Sequence, residues 1–149
     1  MSSQFQHAVR DGITRTLAIV GLAGVALIHL LDAPGKFTET PYLGWMYIGL
    51  IAGCLLAAGA LLGTSDRRAW AAAVALPASA IAGYVLTRTV GLPQATDDIG
   101  NWGEPLGIAS LFVEGALVAL SGGVLALRAG AAPAEARPAR RARRMPQAA

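Results

Sequence analysis

Apolar residues run together in four long blocks, at positions 13–31, 42–63, 69–91 and 105–127, separated by shorter polar segments. Each block is close to the roughly 20 residues that a helix needs to cross about 30 Å of hydrocarbon. The pattern predicts an all-α fold, a polytopic membrane four-helix bundle. The first block is the least clean, because its uncharged part begins only after Arg15, whose long side chain can snorkel to the headgroups. Its alternative reading is a cleaved secretory signal, since Arg10 and Arg15 precede an apolar run containing Gly24 and Ala26. That run is longer than a usual signal core and has no convincing small-x-small cleavage site, so it is read as a span.

Within the blocks, small residues at helical spacing mark where helices approach each other. Gly49, Gly53 and Ala57 form such a stripe on the second helix. On the fourth, Gly103, Gly107, Ser110, Glu114 and Ser121 fall on one face if successive residues turn by about 100°, and that face is expected to look into the bundle. Pro77 removes one backbone donor from the third helix and predicts a bend there.

Composition agrees with this reading: of 149 residues, 54% are hydrophobic and only 14% charged, too apolar for an ordinary water-soluble domain. Charge then supplies an orientation, because Lys and Arg in short loops are retained on the cytoplasmic side. Arg10 and Arg15 precede the first span, Arg67 and Arg68 separate the second and third, and Arg128 follows the fourth. The intervening loops carry Asp32, Glu39, Asp97, Asp98 and Glu104 against Lys36, with Arg88 just before the last of them. The expectation is a multi-pass protein of the cell (inner) membrane with both termini cytoplasmic. Tyr42, Trp45 and Trp102 fall near the outer boundary and Trp70 near the inner one, where half-wet rings are favoured. A single cysteine, Cys54, excludes an internal disulfide and any multi-cysteine metal site, and reads as a small packed residue.

Three regions result: a polar lead at 1–12, the transmembrane domain at 13–127 and a basic tail at 128–149. The tail, with Arg137, Arg140, Arg141, Arg143 and Arg144 against Glu135, lacks the apolar periodicity of a core and is predicted to be disordered. Its bland role is topogenic; its functional one is contact with anionic lipid. A nucleic-acid partner is not expected.

Candidate chemistry rests on a few polar side chains. Glu114 lies ten positions after Glu104, roughly 15 Å along a helix and so near the bilayer midplane. It reads either as a neutral, hydrogen-bonded packing residue or as a proton- or ligand-handling group. Tyr84, at comparable depth, and Arg88, one turn outward, are its candidate partners, although Arg88 is more simply assigned to the outer acids Asp97, Asp98 and Glu104. His29 lies near the outer end of the first helix, three residues before Asp32 and on a similar face. The candidate cluster is therefore His29, Tyr84, Arg88, Glu104 and Glu114, with His29, Glu104 and Glu114 as ligands should it hold a divalent metal ion. An interfacial hydrogen-bonded histidine is the plainer account of His29, and the lack of a second histidine within the apolar blocks argues against bis-histidine haem. The acids at 97–104 lack the spacing of an EF-hand loop, and Glu104 followed by Pro105 reads as a helix start. Phosphate-binding glycine loops, HExxH and GxSxG are all absent.

The stretches HLLDAPGKFTETPYLGW from His29, TRTVGLP from Thr87 and EPLGIASLFVE from Glu104 resemble small four-helix integral membrane proteins of GC-rich bacteria. The resemblance covers much of 28–115, agrees with the preference for arginine over lysine, and supplies no activity. The expectation is a non-enzymatic accessory or assembly subunit whose outer-facing polar cluster binds a metal ion or a proton. The alternative is a component of a membrane oxidoreductase or transporter. Four short helices enclose little volume, so a solute path would call for a homo-oligomer or a larger membrane complex.

Overall fold

The computed structural model describes residues 3–130. The tail readings, from Arg137 through Arg144 and the lipid contact attached to them, fall outside the described residues. Within them the chain forms four helices: α1 (Ser3–Glu39), α2 (Pro41–Gly63), α3 (Arg67–Thr89) and α4 (Pro105–Gly130). All four are long and apolar enough to cross a membrane. No strand forms among the described residues; a single isolated bridge joins Leu92 and Ala95 in the segment between α3 and α4.

The helices pack in a ring, α1 against α2 and α4, α3 against α4 and α2, while α1 and α3 barely meet across the diagonal. Short connections dictate this up-down order. Only Thr40 separates α1 from α2, and Pro41 supplies the first turn of α2, where a missing donor is harmless. Residues 64–66 join α2 to α3, and 90–104 join α3 to α4. α3 ends where Gly91 adopts a left-handed conformation (φ 75°), its N–H returning to the Leu86 carbonyl at 3.0 Å.

α1 is longer than its apolar block. At 37 residues it is about 55 Å long and overshoots a bilayer core of about 30 Å. The polar lead is helical from Ser3, yet residues 4–10 bury nothing. Extending an anchored helix adds one hydrogen bond per residue without a new nucleus, and no proline interrupts this stretch.

Small residues make up much of the interior, around a few large ones such as Leu22, Leu61, Trp70 and Leu117, while many large apolar side chains lie outside. The interior holds Ala18, Ala26, Cys54, Ala57, Ala58, Ala69 and Ala73, whereas Leu56 and Phe112 are 76% and 78% exposed. Hydrocarbon gives large apolar side chains no reason to hide, so close helix approach selects small residues for the inside. Of the stripe predicted on α2, Gly53 and Ala57 take part: a Cβ on Gly53 would lie 2.9 Å from Leu76 on α3. Gly49 does not; it is exposed with open space around it. On α4, Gly107, Ser110, Glu114, Leu117 and Ser121 are buried on the inner face, while Gly103 precedes the helix and is exposed. Pro77 is buried within α3, which continues through it as one helix.

At the end where α1 begins and α4 finishes, two arginines tie the helices together. Arg15 does not simply snorkel: its Nε and Nη2 donate to the Leu61 carbonyl (3.0 and 2.5 Å) and Nη2 to that of Leu62 (2.9 Å). These are carbonyls in the last turn of α2, whose amide partners have run out and whose dipole favours a cation. Arg128 bonds Ser65 through backbone and hydroxyl, pairs with Asp11 at 3.2 Å and lies over the Trp70 ring. Asp66 caps α3 by accepting from the Arg68 amide at 3.3 Å.

Candidate functional site

Toward the opposite end, a cavity of about 180 Å³ lies between the four helices and beneath segment 90–104. It has room for several water molecules. Its polar wall unites His29, Asp32 and Lys36 of α1, Tyr47 of α2, Tyr84 and Arg88 of α3, Ser110 and Glu114 of α4, and Asp98 and Glu104 of the connecting segment. Apolar side chains such as Ile28, Met46, Leu50 and Leu106 complete it.

Two layers can be distinguished. Nearer segment 90–104, Arg88 is a hub, its side chain 4% exposed. Nη1 reaches Asp98 at 3.1 Å and Nη2 reaches Glu104 at 2.9 Å, while Nη1 also bonds the Thr87 hydroxyl at 3.2 Å. Lys36 adds a second cation, 3.6 Å from Asp98 and 2.9 Å from Glu39. The guanidinium lies 4.6 Å from the centre of the Tyr84 ring, whose hydroxyl donates to the Trp102 carbonyl at 3.2 Å. Backbone bonds complete the tie: the Gly100 amide donates to the Arg88 carbonyl at 2.9 Å, and the buried Thr40 hydroxyl donates to the Gln94 carbonyl at 3.1 Å. Glycine at 107 permits the crossing of α3 and α4, since a Cβ there would overlap the Tyr84 ring. Glu104 stands immediately before α4, its carbonyl accepting the Ile108 amide at 3.0 Å.

The deeper layer is built on His29 and Glu114, 7% and 1% exposed. His29 Nδ1 lies 2.9 Å from the Val25 carbonyl. A carbonyl only accepts, so Nδ1 carries a proton, and neutral His29 has its lone pair on Nε2. That Nε2 faces Glu114 Oε1 at 3.8 Å, too far for a hydrogen bond. Oε1 itself accepts from Ser110 Oγ at 2.6 Å, and Oε2 has no hydrogen-bond partner among the described residues. Asp32 accepts from the Tyr47 hydroxyl at 3.1 Å, and the Tyr47 ring meets His29 edge-on with centroids 4.7 Å apart.

The cluster named from sequence is thus divided. His29 and Glu114 come together, whereas Tyr84, Arg88 and Glu104 belong to the upper layer. Neither Tyr84 nor Arg88 bonds Glu114: the Tyr84 hydroxyl is taken by Trp102, and Arg88 by Asp98 and Glu104. Asp97 is exposed and takes no part in the Arg88 network. Of the metal ligand set named from sequence, His29 and Glu114 come together without Glu104, and among the described residues no three His, Cys, Asp or Glu side chains are grouped to hold a metal ion. Glu104 is held by Arg88 just before α4, ten positions and about 15 Å of helix rise from Glu114. Tyr47 was missed by sequence reasoning; a phenol within an apolar block needs a partner for its hydroxyl, and that requirement was the available signal.

Below Glu114 the interior is mainly apolar, apart from the buried Ser121 hydroxyl, which has no hydrogen-bond partner among the described residues. Leu22, Leu61, Trp70 and Leu117 are at most 2% exposed and fill the interior down to the arginine ties. The cavity is therefore a pocket with a floor. The chain matches no protein-family model, no curated protein and no solved structure, so its site rests on geometry alone.

Proposed function

We propose that the protein is a non-enzymatic accessory or assembly subunit of the cell (inner) membrane, both termini cytoplasmic, whose outward-facing cavity binds a proton at His29 and Glu114. The observation that carries this reading is the facing of two acceptors, His29 Nε2 and Glu114 Oε1, at 3.8 Å, both on buried side chains. With both groups deprotonated the site holds an unpaired charge in a medium of low dielectric; one proton on either group makes the pair neutral overall and turns one acceptor into a donor. The apolar floor supports binding rather than passage through a single chain. The many exposed large apolar side chains and the alanines packed between helices support a lipid environment, with the exposed leucines available to lipid, a second copy or a larger membrane complex. The orientation follows from the arginine-rich ends at 10–15, 67–68 and 128, and the basic tail is assigned to the anionic inner leaflet.

Infrared difference spectroscopy of the full chain in lipid nanodiscs tests the proton site. A carboxyl C=O band should titrate with pH, vanish in Glu114→Gln and change its midpoint in His29→Gln. Absence of any titrating band sensitive to Glu114→Gln refutes the proposal.

A further inference from the structure

We infer that the same cavity is a binding site for a small organic ammonium ion with an apolar body, seated against His29, Asp32 and Glu114 in place of the proton. This rests on the proton reading of the preceding subsection and extends it to a ligand class.

The argument starts from what the deep layer offers. His29 Nε2 presents a lone pair, Glu114 keeps one oxygen without a partner, and Asp32 has a single donor from Tyr47. The local donors are already used: the Ser110 hydroxyl on Glu114, the Tyr47 hydroxyl on Asp32 and the His29 Nδ1 proton on Val25. The deep layer is thus rich in acceptors and short of donors; the one unpartnered donor of the lining, Arg88 Nε, belongs to the upper layer. A ligand that completes it must bring N–H groups, and an ammonium brings three.

Charge selects the same class. Of the ionisable side chains lining the cavity, Asp98 and Glu104 are neutralised by Arg88 and Lys36 in the upper layer. Asp32 and Glu114 form no salt bridge with a lysine or arginine among the described residues; His29 faces Glu114, and Lys36, one turn along α1 from Asp32, acts on it only at longer range while its ammonium is held by Glu39 and Asp98. Cys54 of α2 is the other titratable group close to Glu114. A buried carboxylate without a cation is costly, so the vacant role is a positive charge. An anion or a carbonyl compound would meet acceptors.

Shape adds the apolar body. Ile28, Met46, Leu50 and Leu106 line the space beside the acceptors, and the Tyr47 ring borders it. A hydrated inorganic cation would leave these side chains against water, whereas an alkyl chain covers them. The proton and the ammonium use the same Glu114 oxygens and the same Nε2, so they exclude each other.

The test uses n-butylammonium as the probe, with n-butanol and butyrate as uncharged and anionic counterparts. Isothermal titration of the full chain in lipid nanodiscs at about pH 8, where an alkylammonium stays charged, should give saturable binding for butylammonium alone. Affinity should fall on acidification. Glu114→Gln should weaken it about tenfold or more, the loss expected for a hydrogen bond to a charged group. Asp97→Asn, on an exposed side chain away from the cavity, should leave it unchanged. Should Glu114→Gln not yield a helical, monodisperse protein, Asp32→Asn carries the same expectation. Equal heats for butylammonium and butanol, or full affinity in a folded Glu114→Gln protein, overturn the inference. If the Glu114 carboxyl band titrates but butylammonium does not bind, the ligand class falls and the proton site stands; if the band does not titrate, both fall.

Discussion

Replacing Arg88 by methionine removes the one cation shared by Asp98 and Glu104 while keeping most of the side chain's length. Arg88 donates to both carboxylates, at 3.1 and 2.9 Å, and to Thr87 at 3.2 Å, from a side chain that is 4% exposed. Breaking a buried pair from one side costs about 3–5 kcal/mol, because the partner is left charged and unpaired. Two features hold the cost at the lower end: the carboxylates are 19% and 30% exposed, and Lys36 stays 3.6 Å from Asp98. The expected destabilisation is about 3 kcal/mol. Reversible unfolding of the full chain in mixed micelles, followed by helical circular dichroism, measures it. A triple variant that adds Asp98→Asn and Glu104→Gln removes the stranded charges and should recover most of the loss, leaving about 1 kcal/mol for the hydrogen bonds and the Tyr84 contact. A methionine variant within about 0.5 kcal/mol of the parent, or a triple variant no better than the single, refutes the view that Arg88 holds the upper layer by charge.

Gly107→Ala should cost about 1–3 kcal/mol, since the new methyl overlaps the Tyr84 ring; Trp102 fluorescence, sensitive to the neighbouring Tyr84 ring 5.9 Å away, should change with it. Arg15→Met should speed amide exchange in the last turn of α2, whose Leu61 and Leu62 carbonyls lose their donor, and unchanged exchange would deny Arg15 a capping role. Asp66→Ala should lower stability by about 1 kcal/mol through loss of the α3 cap, readable in the same micelle titration. For orientation, single cysteines introduced at Ser65 and at Thr96 in a Cys54→Ser background should be labelled from opposite sides, with position 96 reacting in intact cells; labelling of position 65 alone would invert the assignment.

The four helices were legible because block length is set by bilayer thickness, a property that needs no tertiary information. Their ends were not: α1 begins at Ser3 because helix extension is cheap once the span is anchored, and no pattern in the polar lead announces it. His29 and Glu114 stand out in the sequence as an imidazole and an acid inside apolar blocks, and their side chains lie 3.8 Å apart in the structure. Their juxtaposition depends on the register of α1 against α4, which glycines 21 and 24 adjust by admitting Leu117 and Val113. That relation crosses about 90 positions of chain and leaves no local trace. Arg88 shows the opposite case, because charge alone sends it toward the nearest acids. Tyr47 follows closely on the boundary aromatics Tyr42 and Trp45, and nothing local distinguishes it from them, although its hydroxyl is spent within the bundle on Asp32.

The alanine-lined interior also sets how the chain responds to mutation. In a soluble bundle, trimming a core leucine is harmful and altering a surface residue is mild. Here a second sensitivity joins the buried leucines: enlarging Ala58 or Ala73 pries helices apart, whereas shortening the exposed Leu56 or Phe112 alters only the outer surface of the bundle. A saturation scan would therefore trace each helix by tolerance to bulk, with the intolerant stripe pointing toward the bundle axis.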